Sequence, residues 1–419
     1  MSRAVVVAAG LVLVLFAVPA AHAADYVVAL DPGVSAVTAE RMALREGVTP
    51  DAAYGGANAG FTADLTPGQA KKLARTAGVA FVEPDYTVEA AGAAAAPAPP
   101  PAPEQVPPGV RRVGAGTGAG AGAAVAVLDT GIATTSELNS RPGKNCISTT
   151  AAPSDDNGHG THVAGIIGAR ANGAATVGVA PDTPLYAVKV LNNRMTGTLS
   201  QLLCGLDWVR LNAAALGIRV VNFSVVATGA DDGACGTVNN DALHRAICAL
   251  TDAGVLDVAA AGNGSTSMAS TVPAAYGEVL SVTSIADTDG LPGAKGPVPC
   301  GKGDADDRYG AGSNYALATA ALLQAHTIAA PGVCVTSTGL TSATAVYTGT
   351  SQAAPHVAAA AARCIRDAGV DGPCSGLAPR DIAKRLIADA ASGPLGFLGD
   401  PLRLVTGRAY GPLASVAAY

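Results

Sequence analysis

Tyr347 to Ala362 reads YTGTSQAAPHVAAAAA. Ser351 follows a Gly-Thr pair at the start of a run of small residues. Pro355 is expected in the first turn of the helix that this run predicts, where a missing N–H does no damage. The serine hydroxyl would then sit at a helix N-terminus, where free backbone N–H groups and the positive dipole end can stabilise a nearby oxyanion. Alanines 358 to 362 give a thin face that can lie deep against a sheet, so core and not a mobile loop would hold the serine. A Gly-Thr-Ser at a helix start also serves as an ordinary N-cap. The rest of the chain has to decide between cap and nucleophile.

The 419 residues carry a net charge of -6. That is too little to argue a nucleic-acid or membrane partner; it favours solubility and says little else. Residues 1–23 read as a removable signal peptide: Arg3 supplies the positive start, Ala4 to Val18 the apolar stretch, and Ala21-His22-Ala23 the cleavage site. The same run is short for a membrane anchor, which needs about 20 residues. An exported, extracellular protein with no stable membrane association is expected. Export favours disulfides among the eight cysteines. Cys364 with Cys374 is the first pairing expected and Cys300 with Cys334 the second.

Residues 91–108 belong to an Ala/Pro tract that cannot bury a core and reads as an extended, semi-rigid linker. It separates a unit at 24–90 from one at 109–419. In the first, strands are expected at Tyr26 to Leu30, Gly60 to Leu65 and Val79 to Val88. Helices are expected at Val37 to Glu46 and from Thr66-Pro67 to about Ala77, the order of a small α+β, ferredoxin-like domain. In the second, apolar strand-like runs alternate with amphipathic helical ones. The strand runs are Ala123 to Leu128, Leu185 to Leu191, Val220 to Val225, Val255 to Ala261, Val279 to Ile285 and His326 to Ala330. Such alternation predicts an α/β fold with a doubly wound parallel sheet covered on both faces, its site beyond the C-terminal strand ends.

Asp129 ends the first of these strands in AVAVLDTG. An aspartic protease would need a second such triplet for its paired carboxylates, and the chain has none. His159 lies in DDNGHGTHVAGIIGA. A zinc pair with His162 would need a third ligand and an intervening glutamate, both missing from the motif, and His162 reads as a packed residue. Taken in order, VLDTG, HGTHVAG and GTSQAAPHVA resemble the three catalytic signatures of the subtilisin-like serine proteases, whose chain order is Asp, His, Ser. DYVVALDPGVS, GFTADLTPGQAKKLA and VAFVEPDYTVEA resemble the inhibitor-like propeptides of the same proteases.

The resemblance implies a secreted serine endopeptidase made as a zymogen. Ser351 would attack, His159 shuttle the proton and Asp129 orient His159, while Asn263, in VAAAGNGS, would donate to the oxyanion. Protein or peptide substrates are implied, with the chain's own propeptide as intramolecular inhibitor. It places substrate between the stretch containing Ser224, Val225 and Val226 and the stretch containing Ala261 and Gly262. Val226 and Ala227 stand where two glycines are usual, which implies a shallow first pocket, and Gln352 stands where methionine is common. No cofactor is implied for the chemistry. Structural calcium is common in the family, but the loop after His159 looks shortened beside Glu137, so no ligand is named. The acidic stretch Asp304, Asp306 and Asp307 is expected to be a solvated loop. A sedolisin-type enzyme would lack HGTHVAG, and the intact triad argues against a binding protein on an inactive protease fold.

Overall fold

The computed structural model describes residues 23–96, 103–116, 118–297, 303–366, 369–393 and 396–419. The signal-peptide expectation therefore falls almost wholly outside the described residues. So does Cys300 of the second expected cysteine pair.

The N-terminal unit is a four-stranded antiparallel sheet. Ala24–Leu30 lies between Gly60–Leu65 and Val79–Pro84, and Ala52–Tyr54 adds an edge strand that sequence reading missed. Its helices are Ala36–Arg45 and Pro67–Leu73, the second shorter than expected. Thr66 starts that helix as a capping box: its hydroxyl accepts from Gln69 N, and the Gln69 side chain accepts from Thr66 N. The expected closing strand, Val79 to Val88, is broken at Asp85. Its first part stays in the small sheet, and its second part, Thr87–Ala90, pairs with the larger domain instead.

Among the described residues, the larger domain is built on an eight-stranded sheet. Its strands run in the order Arg308–Tyr309, Leu280–Ala286, Leu256–Ala260, Ile218–Phe223, Ala124–Asp129, Leu185–Lys189 and Ser140–Asn145, with Thr327–Val333 also pairing with Leu280–Ala286. All neighbours are parallel except the short Arg308–Tyr309 strand. Successive side chains of a strand point to opposite faces. Val125 and Val127 therefore enter one core with Val163, Val258 and Val357, while Ala126 and Leu128 enter the other with Val188, Leu206 and Val221. Both faces are apolar, so the sheet is covered on both sides by helices, as the sequence predicts.

Helix Thr350–Ile365 is buried along its whole length, its alanine face packed in the first of these cores. Pro355 is not in its first turn but inside the helix. Because proline has no N–H, the carbonyl of Ser351 loses its usual partner four residues on. Ser224 Oγ replaces it, donating to Ser351 O at 3.0 Å.

The C-terminal residues, unassigned by sequence reading, close the base of the domain. Leu413, Ala414 and Val416 are buried, and Ala414 N donates to Ala329 O. Three disulfides among described residues join Cys146 to Cys204, Cys235 to Cys248 and Cys364 to Cys374. The last is the pairing expected first.

The acidic stretch corrects the expectation of a solvated loop. Asp306 and Asp307 are buried, and Asp287 beside them is too. Asp306 accepts from the backbone N–H of Thr288 and Gly296, and Asp307 from those of Gly293 and Ala294. Asp287 and Asp307 also hold the fully buried guanidinium of Arg112, each at 2.6 Å. Arg112 further donates to Gly396 O at 2.7 Å. Removing one partner of a buried pair leaves the other charge uncompensated. Arg112→Ala is therefore expected to destabilise the protein by about 3–5 kcal/mol. The shift in denaturant midpoint measures this, and an unchanged midpoint would refute it.

Candidate active site

Asp129 and His159 meet at the C-terminal edge of the sheet. Asp129 is the last residue of its strand and His159 the first of helix His159–Gly168, and both are fully buried. His159 Nδ1 lies 2.8 and 2.9 Å from the two Asp129 oxygens. That contact fixes the tautomer with the proton on Nδ1 and leaves Nε2 as a lone pair. Burial opposes a charged imidazole, but the adjacent Asp129 carboxylate outweighs it and holds the His159 pKa above the ordinary value. His162 is different: burial pushes its pKa down to about 3, and its Nε2 lies 3.0 Å from Val335 O. It is the packed, neutral residue that its sequence context suggests.

Ser351 stands at the start of its helix, locked to Ser224 in both directions. Its Oγ donates to Ser224 O at 3.1 Å, and its carbonyl accepts from Ser224 Oγ, which Asn222 Nδ2 supports at 2.9 Å. His159 Nε2 has no hydrogen-bond partner, so the bond between serine and histidine is not formed in this conformation.

What lies between them is the chain itself. Strand Thr87–Ala90 is paired antiparallel with Thr196–Thr198 on one side and Val225–Thr228 on the other. Ala90 N donates to Met195 O at 3.0 Å and Ala91 N to Ser224 O at 2.9 Å. The carbonyl oxygen of Ala91 then accepts from Ser351 N at 3.0 Å and from Asn263 Nδ2 at 2.5 Å. Past Gly92 the chain continues as Ala93–Ala96, paired with Thr344–Thr348. The tract expected to be a free linker from residue 91 thus starts inside the site.

Asn263 is aimed by Thr350, which sequence reading did not single out. Its backbone N–H and hydroxyl both donate to Asn263 Oδ1, at 2.9 and 3.1 Å, turning the amide nitrogen toward Ala91. Gly349 must be glycine here: its φ is +150°, and a Cβ would lie 2.6 Å from the Ala91 oxygen.

Of the two stretches expected to wall the substrate, one runs beside the chain's own strand. Val225 pairs with Ala90 and Val226 with Glu89, so the side chains at 226 and 227 do not prevent strand approach. Along the other expected wall, Ala261 and Gly262 have their backbone groups engaged elsewhere and do not pair with the strand. Ala261 N donates to Val282 O and its carbonyl accepts from Asn314; Gly262 N donates to Thr350 Oγ1 and its carbonyl accepts from Asn314 N. The second strand that pairs with residues 87–89 is Thr196–Thr198. Three residues with no apolar run carry little sequence signal, and only pairing with a second strand reveals them.

The two acidic places named from the sequence can be tested for a cation. The acidic stretch does not fit, since the Arg112 guanidinium and backbone N–H groups already occupy its carboxylates. Glu137 fits better. Its Oε2 is buried without a partner, while Oε1 accepts from Asn172 Nδ2 at 3.4 Å, so the loop after His159 does reach it. A hard cation takes about six to eight oxygen ligands, whereas Asn172 turns its NH2 toward Glu137 and its Oδ1 accepts from Ala174 N.

A peptide bond held with its carbonyl on two N–H donors, beside a serine and a carboxylate-paired histidine, defines the class: a serine protease on a doubly wound parallel sheet, with its inhibitory segment in cis. Residues 120–403 match the Subtilase family and residues 26–91 match Peptidase inhibitor I9. The chain belongs to the subtilase family of serine proteases. It is 34% identical over 308 residues to an alkaline protease of Alkalihalobacillus alcalophilus, covering 72% of this chain and 68% of that one. With Subtilisin BL of Lederbergia lenta it shares 38% over 238 residues, 57% of this chain and 74% of that one. It spans only 30% of Minor extracellular protease Epr of Bacillus subtilis, at 36% identity over 56% of its own length. A cold adapted subtilisin-like serine proteinase of known structure shares the fold, with a TM-score of 0.54 and 24% identity over 74% of this chain and 98% of that one.

Because Asn263 donates to the oxygen on which charge would develop, Asn263→Ala is expected to lower kcat about 10²- to 10³-fold with KM little changed. Steady-state kinetics on a peptide substrate is the check. An unaltered kcat would remove Asn263 from the site.

Proposed function

We propose that the protein is an exported serine endopeptidase that cuts its own chain between Ala91 and Gly92 and is restrained by residues 24–91 until they depart. The observation that carries this reading is the Ala91 carbonyl oxygen, which rests on Ser351 N and Asn263 Nδ2 with Gly92 beside His159. In the reaction Ser351 Oγ leaves Ser224 O by rotation about its χ1, gives its proton to His159 Nε2 and bonds to the Ala91 carbon. The tetrahedral oxyanion stays on the two N–H donors, and Asp129 stabilises the imidazolium. The bond from the Ala91 carbon to the Gly92 nitrogen then breaks as His159 returns the proton to that nitrogen. Water, deprotonated by the same histidine, attacks the Ala91 carbon, and the ester bond to Ser351 Oγ breaks as His159 gives that proton to Oγ, releasing Ala91 as a carboxylate.

Other proteins would be cut at the same place once residues 24–91 depart. Small residues such as Ala91 suit the first pocket, in keeping with the side chains at 226 and 227. Calcium, where the family binds it, has no part in the chemistry. Export rests on the signal-like residues 1–23.

The restraint has an electrostatic component. Asp85 takes the second N–H of helix Leu199–Leu216 through Ser200 N at 2.8 Å, and Glu83 takes the first of helix Ala242–Asp252 through Ala242 N at 2.8 Å. Burial, with Asp241 and Asp85 nearby, pushes Glu83 up to about 8. A free glutamate titrates near 4.3. Between those values the complex holds a proton that the separated parts release, so its affinity falls as pH rises. Inhibition by the cleaved N-terminal domain is therefore expected to weaken from pH 6 to pH 8, and Glu83→Gln to flatten that dependence. A pH-independent inhibition constant for the wild type would refute this.

The test of self-processing is Ser351→Ala, expressed in a host without other extracellular proteases. It should accumulate as a precursor with residues 91 and 92 still joined, while wild type yields a chain beginning at Gly92. Intact mass and N-terminal sequencing read the outcome. Normal maturation of Ser351→Ala would overturn self-processing. In the mature enzyme kcat/KM should rise with pH through a midpoint above the ordinary imidazole pKa of about 6.5, since only neutral His159 accepts the serine proton. A midpoint below that value would contradict the pairing with Asp129.

A further inference from the structure

Gln352 is fully buried directly after Ser351, and neither Oε1 nor Nε2 of its amide has a hydrogen-bond partner. Its Oε1 points at Gly92, the residue after the bond held for cleavage. A Cβ at position 92 would lie 2.9 Å from His159 Nε2, 3.0 Å from Gln352 Oε1 and 3.1 Å from Ser351 Cβ. Carbon atoms do not approach neighbours that closely without displacement. Two of the three cannot yield. His159 is pinned by both oxygens of Asp129, and Ser351 is pinned at its helix start by the reciprocal bonds to Ser224. The end of the Gln352 side chain is the only wall free to move, and it is packed in the interior.

We propose that this site takes glycine immediately after the cleaved bond, and that Gln352 is the residue that sets this specificity. The substrate class is then polypeptide with a small residue followed by glycine, as in Ala91-Gly92. The assignment rests on the reading of that bond as the one the enzyme cuts. A larger residue at 92 has to back away from His159 toward the volume Gln352 occupies. Its nitrogen, which must collect the proton from His159 Nε2, then moves off line. Shortening Gln352 opens that volume.

The experiment has two arms. In the first, precursors carrying Gly92→Ala, Gly92→Val, Gln352→Ala, and Gly92→Ala with Gln352→Ala are followed by intact mass beside wild type and Ser351→Ala. Gly92→Ala is expected to mature at least tenfold more slowly than wild type and Gly92→Val more slowly still. Adding Gln352→Ala should recover most of the loss in Gly92→Ala. In the second, the mature enzyme and its Gln352→Ala variant cut peptides that contain Val-Glu-Ala-Ala-Xaa-Ala-Ala, with Xaa as Gly, Ala, Val or Leu.

Here kcat/KM should fall at least tenfold from Gly to Ala in the wild type, and the ratio should shrink in the variant. Equal rates for Gly and Val would overturn the proposal, as would a preference for Gly that Gln352→Ala leaves intact. Normal maturation of Ser351→Ala would instead remove self-processing, and the peptide arm would still decide the specificity. That arm also decides if a Gly92 precursor fails to fold.

Discussion

The carbonyl oxygen of Ala91 rests on two N–H donors, and most of the molecule is arranged so that those donors point at one spot. One is the backbone of Ser351, which faces the spot because it begins a buried helix with Gly349 before it. The other is an amide whose orientation comes from Thr350, on the same turn. Both donors thus move with one rigid helix. A preorganised pair of this kind stabilises developing charge without reorganisation at the moment of reaction. The proline five residues into the same helix frees the Ser351 carbonyl, and Ser224, on the strand that also receives Ala91 N, takes it up. One substitution-sensitive contact therefore links the nucleophile to the wall along which the peptide lies.

The N-terminal domain occupies this site through its own broken strand. Residues 79–84 stay in the small sheet while 87–90 become the middle strand of a second sheet with residues 196–198 and 225–228. Strand addition supplies backbone hydrogen bonds without demanding particular side chains. Asp85 stands at the break and joins the two halves by capping a helix of the larger domain. Val88, buried in the second core of that domain, anchors the strand by packing.

Much of this is legible in the sequence, for identifiable reasons. The parallel sheet shows because its strands are apolar on both faces and alternate with helices. Asp129, His159, Ser351 and Asn263 show because each sits at the end of an apolar element inside a short motif. The edge strand 52–54, the flanking strand 196–198 and Thr350 do not show, because their roles come only from pairing with remote partners. Arg112 is the extreme case: an arginine in a Pro-Gly-Val-Arg-Arg run reads as exposed, and only the fold brings three distant acceptors around it. The acidic stretch was misread as solvated for the same reason.

Those anchors also decide what would follow the proposed cleavage. Residues 103–112 are already fixed in the uncut chain: Glu104 accepts from the N–H groups of Asn172 and Gly173, and Arg112 is caged by Asp287 and Asp307. On the near side of the bond, residues 87–91 are held by two strands and by the oxyanion donors. On the far side, residues 93–96 pair, among the described residues, with one strand, Thr344–Thr348. The halves therefore part unequally. The new amino terminus has a single ladder to break and is tethered at residue 103, whereas the new carboxyl terminus remains in the cleft with every contact of the uncut strand. Cutting alone does not expose the site. Release of residues 24–91 as a domain does, which makes the interface carboxylates Glu83 and Asp85, and not the serine, the groups on which the timing of activity turns.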